Sequence, residues 1–216
     1  MQAGAQKVPD GFLCMEATAD LDSIYRSRGL PDVLRRTLDG AFSWQRRNET
    51  TLERTLNMPG LAAQWVAGLL AGGALVVVDG ETIPLAEVMG KASKQDVKAL
   101  LLPIENMYWG MSQVARTPVD DPIVFAISAV QVKNGTVSQA KAALTGVWQS
   151  SVGEAKAVVA LEGGSLNKEA IANAAAKVAD EVNPKGNYLG SVAYRKAMST
   201  VLTRKALEMC LEGLES

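Results

Sequence analysis

Arg46, Arg47 and Asn48 stand together in a chain that is otherwise balanced in charge. Guanidinium and amide donors of this kind suit a phosphate, and an arginine pair ahead of a turn suits equally well a solvated or subunit-facing surface. Glu53 and Arg54, a few residues on, carry opposite charges that pair readily with their neighbours. The Gly72-Gly73 and Gly163-Gly164 pairs have no GxGxxG or Walker surroundings and read as helix ends. Asp120 and Asp121 precede Pro122 as a solvated turn would, without further metal-ligand spacing.

What is absent narrows the chemistry further. There is no histidine in the 216 residues, which excludes Ser-His-Asp and Cys-His mechanisms and most zinc sites. Cys14 and Cys210 lie near opposite ends with no CxxC spacing, so the expectation is two reduced, buried thiols, with a disulfide between them left open. Apolar residues make up 48% and charged residues 21% of the chain, a globular composition, and the formal charge of -1 supplies no field for nucleic acid or anionic membrane. The apolar run Val66 to Val78 is too short and glycine-rich to span a bilayer. With no signal peptide in the sequence, the expected compartment is the cytoplasm.

The elements that position these residues follow from periodicity. Residues 1 to 20 are small and polar and read as a loosely held lead-in. Leu30, Val33, Leu34 and Leu38 predict a helix from Pro31 to Ala41, and Gly60 to Ala71 predicts another. Residues 74 to 79 form a β-branched strand closed by Asp79-Gly80, with Thr82 to Leu85 returning. Val97 to Pro103, Met107 to Arg116, Ile123 to Lys133 and Thr136 to Thr145 predict strands, the last two joined through Asn134-Gly135. Helices are expected over Glu154 to Leu161, Asn167 to Glu181 (capped from Ser165) and Ser191 to Leu211. Among the four tryptophans, Trp109 belongs to the conspicuous cluster Met107 to Met111, which suits either a core or an interface.

From Ala140 onward the chain resembles the C-terminal domain of the FAD-binding medium subunit in the carbon monoxide dehydrogenase and xanthine dehydrogenase family. Residues 142 to 147, Leu161 to Gly164, the helix Ala170 to Glu181, Gly190 to Arg195 and Val201 to Leu207 carry that resemblance. Upstream, residues 41 to 48 followed by Thr51-Leu52 resemble the segment that leads into the family's Thr-Leu-Gly-Gly-Asn loop, and residues 67 to 78 and 83 to 85 fall in register. The resemblance spans residues 41 to 212. It implies an α+β fold: a remnant of the second FAD-binding lobe at 41–103 and a C-terminal domain of helix-covered antiparallel strands at 104–216. Residues 1–40, lead-in and short helix, take the place of the family's N-terminal lobe, which needs far more than the 44 residues before Gln45.

The departures fall on the flavin site. Where the family has two glycines that let backbone N–H groups approach the pyrophosphate, this sequence has Glu53 and Arg54, and where it has an aspartate, this sequence has Gln64. The resemblance therefore implies a structural or assembly subunit of a molybdenum-hydroxylase-type oxidoreductase, with no cofactor of its own. An FAD-binding electron-transfer subunit using Thr51, Asn57 and Gln64, and a free-standing scaffold or homo-oligomer, are the alternatives. Implied partners are an iron-sulfur subunit and a molybdopterin-bearing large subunit, or a second copy.

Overall fold

The computed structural model describes residues 5–8, 11–89, 96–117 and 120–216, and the chain divides at Glu105/Asn106 into two units. The first unit carries an antiparallel sheet in the order β1-β2-β5-β3-β4, from β1 (Ala5–Val8), β2 (Phe12–Glu16), β3 (Leu75–Val78), β4 (Glu81–Pro84) and β5 (Val97–Pro103). Its helices are α1 (Leu21–Tyr25), α2 (Asp32–Ala41), α3 (Trp44–Glu49), α4 (Leu52–Asn57), α5 (Ala63–Ala71) and α6 (Leu85–Val88), with a 3-10 turn at Pro59–Ala62 ahead of α5.

Local chemistry accounts for most of these elements. Asp79 and Gly80 both take positive φ, 50° and 85°, as the tight hairpin turn between β3 and β4 requires. Helix α2 buries Leu34 and Leu38 and leaves Arg36 and Asp39 exposed, the stripe its leucine spacing predicts. Asp20, Ser43 and Thr51 each accept a hydrogen bond from the N–H three residues on, capping α1, α3 and α4.

The expectation of a loose lead-in does not hold. Phe12–Glu16 is an interior strand paired on both sides, with Leu13 and Met15 fully buried. The strand is short, only two of its five side chains are buried, and Gly11 just ahead of it reads as a break.

The second unit has a sheet in the order β6-β7-β8-β9, from β6 (Met107–Val114), β7 (Val124–Lys133), β8 (Thr136–Thr145) and β9 (Val152–Glu154). Helix α9 (Val192–Glu215) packs on β6 and β7, and helices α7 (Lys168–Ala176) and α8 (Val178–Glu181) pack against α9. Val124, Ala126 and Val130 of β7 share a core with Ala142 and Leu144 of β8, Ile171, Val178 and Leu207. These strand positions are two or four apart, so they lie on one sheet face. The β7–β8 hairpin turns at Asn134 and Gly135 as predicted, again with positive φ at both.

Three expectations need correction here. Residues 154 to 161 do not form one α-helix: strand β9 ends at Glu154 and a 3-10 helix covers Lys156–Leu161. The helix expected over Asn167 to Glu181 breaks at Lys177 into α7 and α8. Its cap is Asn167, whose Oδ1 accepts from Ala170 N at 2.9 Å, while Ser165 only receives a bond from the Asn167 amide. The Gly72-Gly73 pair does end a helix, Gly72 N–H donating to Gly68 O.

Both cysteines are free thiols. Cys210 is fully buried on α9, and desolvation pushes its thiol far above the ordinary value of 9.0. An acid whose folded pKa is raised gives stability that is complete below its unfolded pKa and fades above it. The stability of the second unit is therefore expected to fall by about 1.4 kcal/mol per pH unit above 9, because only the unfolded chain releases the proton. Denaturant titrations of the wild-type chain and Cys210→Ala between pH 8 and 10.5 check this, since the alanine variant should lose that part of the slope.

Candidate functional site

The residues singled out in the first unit converge on the turn between α3 and α4. The stretch Ala17 to Leu21 runs beside Thr50 to Glu53, bridged at Asp20 and Thr51. Leu21 N–H donates to Thr50 O at 2.9 Å, Leu52 N–H to Ala19 O at 2.9 Å and Glu53 N–H to Ala17 O at 2.8 Å. Arg54 N–H donates to Thr51 Oγ1 at 3.3 Å. Every backbone donor from Leu52 to Arg54 is thereby occupied by the protein itself.

Thr51 and Asn57 stand at opposite ends of the same short helix, about 9 Å apart along its axis at 1.5 Å per residue. Thr51 caps α4, whereas Asn57 Oδ1 is buried with no hydrogen-bond partner. Gln64 lies on α5, half-buried, with its Oε1 beside Gly40.

Arg47 is occupied in holding the fold. It faces Asp22, a buried carboxylate, with Nε at 3.3 Å from Oδ1, while Arg26 reaches the other oxygen at 2.7 Å. Its Nη1 also meets Asp39 and Phe42 O, and its guanidinium stacks 4.2 Å from the centroid of Tyr25. Tyr25 donates to Asp39, and that carboxylate acceptor raises its pKa above the ordinary phenol value. Asn48 donates to Trp44 O and so closes α3. Asp22 and Tyr25 were not singled out from the sequence, although the spacing of Asp22 and Arg26, four residues apart, is a signal for that ion pair.

Arg46 and Arg54 behave differently. Both are exposed, and both line a solvent-open hollow together with Phe42, Glu49, Thr50 and Leu61. Arg46 lies 5.6 Å from the Phe42 ring centroid, and Glu49 accepts from Gln45.

In the second unit, Arg195 anchors the start of α9. Only 6% exposed, it donates through Nη1 to Ile123 O at 2.6 Å and Gly146 O at 2.7 Å, and through Nη2 to Asn187 Oδ1 at 3.0 Å. Tyr194 beside it is 37% exposed, and Arg204 pairs with Glu208 on the same helix. Asp120 faces Arg116 at 3.4 Å, and the described residues contain no cluster of three or more metal-ligating side chains. Met107 to Met111 lies on the edge strand β6, half-buried except at Gly110.

With that geometry in place, comparison gives the class. Residues 110–210 match the family model described as CO dehydrogenase flavoprotein C-terminal domain, so this part of the chain is similar to that domain. The whole fold is shared with carbon monoxide dehydrogenase from Hydrogenophaga pseudoflava, at a TM-score of 0.79 and 20% identity over 98% of this chain and 78% of that one. Quinoline 2-oxidoreductase from Pseudomonas putida 86 gives a TM-score of 0.78 and 18% identity, covering 100% and 80% of the two chains. CO dehydrogenase from Oligotropha carboxidovorans gives 0.75 and 17%, covering 97% and 78%. Identities this low establish the fold and no more. No curated protein sequence matches the chain.

The fold family implies FAD, whose pyrophosphate calls for free backbone N–H groups at the loop after Thr51. The residues present do not fit it. Those N–H groups are taken by Ala17 O, Ala19 O and Thr51 Oγ1, and the Glu53 carboxylate repels a diphosphate. Among the described residues no helix is long and apolar enough to cross a membrane.

Proposed function

We propose that the chain is a structural or assembly subunit of a molybdenum-hydroxylase-type oxidoreductase, not catalytic by itself and with FAD binding lost or weak. The observation that carries this reading is the occupied row of donors from Leu52 to Arg54. A diphosphate would have to displace two backbone hydrogen bonds inside the first unit and then meet Glu53. The Arg195 anchor supports the other half of the reading, because the family signature around residues 190 to 195 serves here to hold a helix rather than to touch a ligand.

In this reading residues 41–103 are the remnant of the second FAD-binding lobe and residues 104–216 the C-terminal domain. The partners are an iron-sulfur subunit and a molybdopterin-bearing large subunit in the cytoplasm. A second reading has another chain completing a flavin pocket, with Thr51, Asn57 and Gln64 as contacts. The buried, unpartnered Oδ1 of Asn57 favours it, since an acceptor there lacks a donor.

The test is flavin content. The purified chain, incubated with excess FAD and desalted, should show no flavin absorbance and no change in melting temperature. Stoichiometric FAD on the chain alone rejects the proposal, and FAD recovered only from a co-expressed complex selects the second reading.

A further inference from the structure

The outer edge of β6 carries features that neither the fold nor the proposed function uses. In the sheet β6-β7-β8-β9 this strand is terminal, and among the described residues it pairs on one side only, with β7. Val132 N–H donates to Asn106 O at 3.2 Å, directly opposite in the register, so the even-numbered residues of β6 bond to β7. The odd-numbered ones, Met107, Trp109, Met111 and Gln113, turn both N–H and C=O to the open edge. Every other sheet edge among the described residues is short: β1 and β4 have 4 residues each and β9 has 3, against 8 in β6. A long edge is normally guarded by a charge, a proline or a bulge. Met107 to Val114 contains no charged residue and no proline, and its register with β7 is unbroken.

We propose that a second copy of this chain pairs with β6 edge to edge, antiparallel about a two-fold axis at Gly110, so that two sheets become one. That centre sets Trp109 opposite Met111 and Met107 opposite Gln113. Every outward N–H then meets a C=O, and no like charges face each other. Helix α9 argues for a second copy over an unrelated strand. It lies over β6 and β7 together, with the Met209 side chain beside Gly110. Strands spaced about 4.8 Å apart place the two copies of α9 about 10 Å apart across the axis, the distance at which helices pack. Met209, apolar yet 37% exposed, then covers its own counterpart. Lys205 lies one turn before it and Glu212 one turn after, both exposed. Antiparallel helices centred on Met209 bring the Lys205 of each copy to the Glu212 of the other, so one axis satisfies both strand and helix.

Sedimentation equilibrium of the full chain tests this, and a reversible dimer is expected. K205E should weaken it about tenfold, because two attractions become repulsions, and the charge swap K205E/E212K should restore it. W109P removes an outward N–H that β7 does not use and should leave a monomer. Residue-resolved hydrogen exchange gives a separate reading: on dilution the Trp109 and Met111 amides should lose protection while those of Tyr108 and Ser112 keep it. A monomer at every attainable concentration, a dimer indifferent to K205E and W109P, or a charge swap that fails to restore what K205E loses, overturns the proposal. Protection of the edge only in a complex with an iron-sulfur or molybdopterin-bearing subunit assigns it to that subunit and equally overturns self-pairing. Flavin retained on the purified chain would reject the proposed function while leaving these association measurements as the separate test of the dimer.

Discussion

Replacing Arg195 with methionine is expected to destabilise the second unit by about 3 kcal/mol. The guanidinium serves the carbonyls of Ile123 and Gly146 and the Asn187 side chain from a position almost closed to water. Methionine fills a similar volume and offers no donor, so both carbonyls lose their charged partner, at about 1–3 kcal/mol per buried group left unsatisfied. Lysine restores the charge without the fork, and a single ammonium on a flexible stem holds the four acceptors, Gly190 O included, less well. Arg195→Lys should therefore fall between the two. Urea unfolding of the full chain measures the loss, and hydrogen exchange should localise it to the start of α9 and to residues 183 to 190. Equal stability of the methionine variant would mean that water replaces the guanidinium.

The second large effect is expected at Gly110, where α9 rests on β6. A Cβ added at this position would lie 2.0 Å from Ala206 O and 2.7 Å from the Cβ of Met209. The first is helix backbone and cannot rotate away, so Gly110→Ala must push α9 off the sheet. Overpacking costs about 1–3 kcal/mol where side chains yield, and a backbone clash places this substitution at or above the upper end. Loss of protection along α9 and β6, with the first unit unaffected, is the expected exchange pattern. An alanine variant with unchanged protection in α9 would show that the helix shifts at no cost.

The two hairpins were legible because their turns declare themselves: Asp79-Gly80 and Asn134-Gly135 are residue pairs that accept the positive φ such turns demand. Strands β5, β7 and β8 followed from apolar runs bounded by those turns or by proline. Helices α3 and α4 were missed, since both are six residues long and α3 buries none of its side chains. Arg195 lies in the segment Gly190 to Arg195 that carries the family resemblance, and its guanidinium is buried whereas the Tyr194 ring beside it stays partly exposed. The occupied donors after Thr51 could not be read from sequence. They depend on Ala17 and Ala19 arriving alongside, a long-range pairing that leaves no local periodicity.

The interior position of Phe12–Glu16 also bears on how the chain is made. One neighbour of this strand is β1, but the other is β5, with Glu16 opposite Ala99. During synthesis β2 emerges early and waits until Val97–Pro103 has left the ribosome before its second edge can close. The first unit thus holds an open, apolar strand edge through most of its own translation, and its folding is governed by one long loop closure. In the second unit β6, β7 and β8 pair with successive neighbours as they appear. Nascent chains stalled before Val97–Pro103 has emerged from the ribosome should accordingly be far more prone to aggregation and protease cleavage than chains stalled after it has emerged.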